Sequence, residues 1–86
     1  MKIKEGYLLR NIAGNQVVVP VGKVDFDGMI KLNETGALLW SKLLRETTPD
    51  HLIEELLKEY DVEASVAEKD VEAFLSKLRG AGLLDE

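Results

Sequence analysis

Apolar positions change their rhythm about a third of the way along the chain. Before that point they come in short runs broken by Gly, Asn and Asp; after it they recur at three- and four-residue spacing. The first pattern is that of strands and the second that of amphipathic helices. Residues 7–13 read as a first strand. Gly14-Asn15 follows as a two-residue turn of type II′, where Gly suits the first central position. Residues 16–21 form a second strand rich in β-branched Val, which fits a pleated, half-buried surface. Pro20 cannot donate to a ladder, so it belongs at the strand's end or on an unpaired side. Residues 22–28 read as a loop, with Asp27-Gly28 as its turn signal. The stretch MIKLNETGALLW, residues 29–40, then runs from a third strand (29–32) straight into a helix.

Asn33 stands where that helix needs an N-cap, because its side-chain oxygen can accept a free amide proton of the first turn. Glu34 places a negative charge at the positive end of the helix dipole. Gly36 is a poor helix former, so its place in the first turn predicts a close neighbour. Helix one is expected over 34–45, with Leu39/Leu43 and Trp40/Leu44 on one face and Leu38 off it, exposed. Helix two opens with Thr48 as N-cap and Pro49 at N1, where a missing amide costs nothing. Leu52, Ile53, Leu56, Leu57 and Tyr60 form its apolar stripe, and Glu54, Glu55, Lys58 and Glu59 its wet face. Ser65 and Glu68 read as a capping box for a third helix reaching Arg79. Ala67, Val71, Phe74, Leu75 and Leu78 point inward there. Gly80 and Gly82 are stop signals, and Leu83 and Leu84 fold back onto the core. Three strands in a meander, followed by three helices, make an α+β class with a winged-helix-like arrangement.

The 86 residues make one domain, residues 1–86, 45% hydrophobic and 31% charged. There is no cysteine, hence no disulfide framework and no thiolate metal site. No apolar run approaches the ~18 residues that span a bilayer, and the N-terminus lacks the apolar core of a signal peptide. A cytoplasmic protein with no membrane partner is expected. The net charge of −5 opposes a phosphate backbone, whose affinity comes from Lys and Arg. The third helix repeats the point locally. Its first half carries Glu68, Asp70 and Glu72 against Lys69, at the end that would face phosphates in the usual docking. Nucleic acid is therefore not an expected partner.

Catalytic chemistry is sought without result. His51, the single histidine, reads as a solvated residue in the first turn of helix two, since a metal needs several convergent ligands. Ser41, Ser65 and Ser76 have no companions that suggest an activating base. The glycines form no dinucleotide- or phosphate-binding motif. The aromatic residues Tyr7, Phe26, Trp40, Tyr60 and Phe74 are too scattered for a base-stacking platform. No enzyme, cofactor or metal is expected.

Four segments in order carry a resemblance: VVVPVG (17–22), LNETGALLW (32–40), LIEELLKEYDV (52–62) and DVEAFLSKLRGAGLL (70–84). Together they resemble the family of pyrroloquinoline-quinone synthesis protein D, from residue 6 to 84. The resemblance implies a winged-helix-like fold and a non-catalytic role. Such a protein binds the leader segment of a ribosomally made precursor peptide and presents it, in trans, to a modifying enzyme such as a radical enzyme, a leader peptidase or a cyclase. The leader is implied to add beside the third strand, along Met29, Ile30, Lys31 and Leu32, over a groove shared with helix three at Asp70, Val71, Phe74, Lys77 and Leu78. No residue ties the chain to the quinone itself, and it is similar also to leader-binding partners of lasso-peptide pathways.

The residues support that mechanism in one respect. The third strand is the last of the meander and so a free edge, to which an extended peptide can add. Alternation sends Ile30 and Leu32 to one face and Met29 and Lys31 to the other, and leaves open which face holds a pocket. Val71, Phe74 and Leu78 fit an ordinary core equally well. Lys31 and Lys77 fit solvated cations or attractors of an acidic leader. Two other roles stay open: an acidic winged-helix regulator of transcription, and a structural homodimer formed through the same strand edge.

Overall fold

The computed structural model describes residues 1–21 and 30–86. The expected loop at 22–28, Phe26 and the expected strand residue Met29 lie outside the described residues. The element order is β1 (Lys2–Ile3), β2 (Tyr7–Ile12), β3 (Asn15–Pro20), β4 (Ile30–Leu32), α1 (Glu34–Lys42), α2 (Pro49–Glu59), α3 (Ala64–Gly80) and β5 (Leu84–Asp85). The strands β2, β3 and β4 form an antiparallel meander in that order. The expected third strand is β4. A second, small sheet pairs β1 with β5, Lys2 opposite Asp85 and Ile3 opposite Leu84; two-residue strands carry too little pattern to be seen in the sequence.

The β2–β3 turn lies one residue earlier than expected. Ile12 pairs with Asn15, so Ala13 and Gly14 are the central residues, at φ of 53° and 84°. Two positive φ values make a type I′ turn, whose twist matches the flanking strands. The Gly14 N–H donates to Asn11 Oδ1 at 3.1 Å, which holds the register.

The core is built where the sheet meets the helices. Val18, Leu39, Leu43, Leu52, Ala67, Leu78 and Leu83 are fully buried, with Trp40, Leu56 and Val71 nearly so. Leu38 is not exposed as expected; it is half-buried and packs against this cluster. Leu44, expected to share a face with Trp40, is 60% exposed. The reason is that α1 ends at Lys42 with Leu43 as its C-cap, so helical spacing no longer applies at Leu44. Leu57 also turns outward from the predicted stripe of α2.

Caps explain the helix ends. Thr48 caps α2, its hydroxyl accepting from the His51 N–H at 3.2 Å, with Pro49 at the first helical position. Helix α3 closes in a Schellman motif. The Gly82 N–H, at φ of 75°, donates to the Arg79 carbonyl at 3.0 Å, and the Leu83 N–H donates to the Leu78 carbonyl at 2.9 Å. This turns Leu83 and Leu84 back into the core, as expected. The start of α3 differs from the expected capping box. Its N-cap is Glu63, which makes no side-chain cap bond, and Ser65 lies inside the first turn. Lys42 on α1 reaches Glu55 on α2 at 3.4 Å. Partial burial pushes the Glu55 carboxyl up, but Lys42, Lys58 and His51 around it outweigh that and hold it below its ordinary value.

Two outcomes follow from these contacts. Glu63→Ser supplies the missing cap and is expected to raise stability by about 0.5–1 kcal/mol in urea denaturation, with Ser65→Ala close to neutral; a capping box at Ser65 would give the reverse ranking. A depressed carboxyl stabilises the fold above its unfolded-state pKa, and that contribution is lost as pH falls through the folded value. Glu55→Gln is therefore expected to lower Tm at neutral pH, and its difference from the parent to disappear in acid.

Candidate functional site

The strand β4 is an edge. Ile30 pairs with Val18, Lys31 with Val17 and Leu32 with Gln16, all on β3. Its other flank carries no strand among the described residues, because the N-terminal strand β1 is used by β5. The Lys31 carbonyl is open on that flank, where Lys77 Nζ of α3 donates to it at 3.5 Å. In an antiparallel strand the N–H and C=O of one residue point the same way, and neighbours alternate. Lys31 thus presents both groups outward, while Ile30 and Leu32 serve the ladder with β3.

Beyond the free edge runs a groove of about 470 Å³ between β4, the first turn of α1 and one face of α3. Leu32, Gly36, Leu39 and Phe74 make its apolar floor, all buried. Lys31, Asn33, Thr35, Asp70, Ala73 and Lys77 stand around it. Asp70, Ala73, Phe74 and Lys77 recur at i, i+3, i+4 and i+7, one face of α3, which spreads them over ~10.5 Å of helix. Among the described residues, Lys31, Asp70 and Lys77 enter no ion pair. A second cavity of about 390 Å³ lies apart, lined by Ser41, Lys42, Arg45, Glu46, Thr47 and His51.

The junction from β4 to α1 shapes the groove. Asn33 keeps an extended backbone and its Oδ1 accepts from the Gly36 N–H at 2.8 Å. A Cβ on Gly36 would meet that same Oδ1 at 3.2 Å, with Leu32 Cβ and the Phe74 ring each at 3.4 Å. The close neighbour that Gly36 predicted is therefore the cap oxygen and the aromatic ring of α3.

Of the expected site residues, the structure brings Lys31, Leu32, Asp70, Phe74 and Lys77 to one groove. Ile30 is half-buried on the strand's inner face and packs on the core. Val71 and Leu78 lie behind the groove, buried to 1% and 0% exposure. Asn33, Thr35, Gly36, Leu39 and Ala73 also line it and were absent from the expected set. Gly36 carried a signal, since a glycine in a first turn announces a close approach. Ala73 carried a weaker one, a small residue between Asp70 and Lys77 on the same face.

Gly36→Ala tests the packing at this junction. Helix propensity alone favours Ala by about 0.8–1 kcal/mol. The cap oxygen cannot move aside without losing its bond, so urea denaturation is expected to show no gain; a full gain would mean that the ring and cap stand clear of Gly36.

Comparison with known proteins agrees with this architecture. No curated protein matches the chain in sequence. The structure of TbiB1 in complex with the TbiA(beta) leader peptide is similar at a TM-score of 0.79 and 25% identity, covering 99% of this chain and 95% of that one. The structure of lasso peptide synthetase B1 complexed with the leader peptide is similar in fold, at a TM-score of 0.75 and 24% identity, covering 95% of this chain and 93% of that one. The family model of coenzyme PQQ synthesis protein D (PqqD) matches residues 16–84. With most of its length matched, the chain belongs to the PqqD family.

Proposed function

We propose that this protein binds the leader segment of a ribosomally made precursor peptide as an added strand on β4 and presents the rest of that peptide to a separate modifying enzyme. The observation that carries the reading is a flank of β4 that no strand among the described residues pairs, beside an apolar groove. The similar structures named above hold leader peptides, and an extended peptide is the ligand that a free strand edge accepts. The chain itself acts by holding its cargo, without chemistry of its own.

Backbone and side chains divide the work. Within Ile30–Leu32 only Lys31 offers an outward N–H and C=O, worth about 1 kcal/mol net for each bond. Two apolar anchors over Leu32, Leu39 and Phe74 add ~1.5–3 kcal/mol each. Ordering the peptide and losing its free motion take several kcal/mol away. The balance supports micromolar binding, in which side chains in the groove select the cargo and the backbone only aligns it. Weak, reversible capture suits a carrier that hands its peptide on.

The regulator alternative gains nothing from the fold. Glu68, Asp70 and Glu72 are exposed along the first half of α3, where phosphates would have to approach.

The test is calorimetric titration with the leader segment of a precursor peptide encoded beside this gene. Lys31→Pro removes the outward N–H and is expected to weaken binding by roughly fivefold. Ala73→Phe fills the groove from an exposed position. It is expected to weaken binding by about tenfold or more while changing stability by less than ~0.5 kcal/mol. Unchanged affinity in both variants would refute strand addition at β4.

A further inference from the structure

We propose that Lys77 is a specificity-determining residue of the groove: its ammonium rests on the Lys31 carbonyl at the free edge of β4, and an incoming peptide strand must displace it and supply a carboxylate to receive it. This rests on the peptide-binding reading above and adds which peptide the site selects.

The contact itself is the starting point. Lys77 Nζ donates to the Lys31 carbonyl at 3.5 Å, the acceptor that an added strand needs for its own amide. Ligand and lysine compete for one oxygen. Among the described residues, the displaced ammonium has no ion-pair partner to retreat to. Helical neighbours lie three or four residues apart, and for Lys77 these are Phe74, Ala73, Gly80 and Ala81. Asp70 is two turns away along the axis. Three other cations are paired: Lys42 and Lys58 reach Glu55, and Arg79 holds Glu86 through a forked pair. Among the described residues, Lys77 stands at the groove in no ion pair, as does Lys31 beside it.

The register says where the carboxylate must be. A peptide residue that exchanges hydrogen bonds with Lys31 turns its side chain to the same face as Lys31. Its neighbours turn to the face of Ile30 and Leu32, which borders the groove and α3. An Asp or Glu at a flanking position therefore meets Lys77, and a neutral residue there leaves the ammonium displaced without recompense.

A display library of random linear peptides is selected against the parent protein, Lys77→Met and Lys77→Glu. Lys77 is exposed, and circular dichroism and Tm confirm that each variant is folded. The parent is expected to enrich peptides with Asp or Glu at one fixed position beside the apolar anchors. Lys77→Met is expected to lose that preference while keeping the anchors, and Lys77→Glu to select Lys or Arg at the same position. Replacing the acidic residue by its amide is expected to weaken parent binding by roughly three- to tenfold at low salt, with a smaller difference at high salt. Anchored peptides with no acidic position, or an acidic preference that survives Lys77→Met, would overturn this inference and leave peptide binding standing. Failure to enrich any peptide against the parent would overturn both.

Discussion

The carboxamide of Asn33 is the fastening on which the site depends. It bonds the Gly36 amide proton, and that bond lets the chain pass from strand to helix within one residue. A side chain at Gly36 would be crowded, because the cap oxygen, Leu32 and the Phe74 ring already lie against the vacant Cβ position. Because the ring comes so close, α3 lies alongside β4 at a distance set by packing rather than by loop length. A strand edge and a helix face held this near each other, with Leu39 beneath, leave a groove and not a filled core. The groove is thus a by-product of one capped junction.

The free flank needs a second condition, which the chain ends supply. An edge strand is open to any extended segment, the protein's own included. Here β1 is drawn away. The Ile3 N–H donates to the Leu43 carbonyl at 2.9 Å, and the Lys4 N–H to the Leu83 carbonyl at 2.8 Å. The Schellman turn at Gly82 places Leu83 and Leu84 to receive that segment. Two hydrophobic termini are thereby consumed by each other and by the helices, and neither pairs with β4.

Long periodic elements were legible in the sequence because their pattern repeats. The stripes of α2 and α3, the Asn33 and Thr48 caps and the meander all follow from residue spacing. Local chemistry misled where two signals competed. Ser65 with Glu68 has the spacing of a capping box, yet Glu63 begins the helix, its carbonyl receiving the Val66 and Ala67 amide protons at 3.1 Å. Gly14-Asn15 looked like a turn, but the Asn11 side chain fixes the turn at Ala13-Gly14. Leu44 looked like core because its spacing from Trp40 is helical, and the helix stops first. The groove was half legible: Asp70, Phe74 and Lys77 share a face by arithmetic, whereas Asn33, Thr35 and Leu39 join them only through the tight junction.

The division between backbone and side chains bears on how such a fold can persist while its sequence drifts. At 25% identity the TbiB1 structure still matches nearly the whole chain at a TM-score of 0.79. A strand edge needs no particular side chain to accept a strand, since its donors and acceptors belong to the backbone. What the edge needs is therefore geometry, supplied by the cap and the close approach at Gly36. Exposed groove residues such as Ala73 and Lys77 can be replaced at little cost to the fold. These two sets of positions barely overlap in this chain. A protein so arranged can keep its edge and its capped junction while the residues around its groove change.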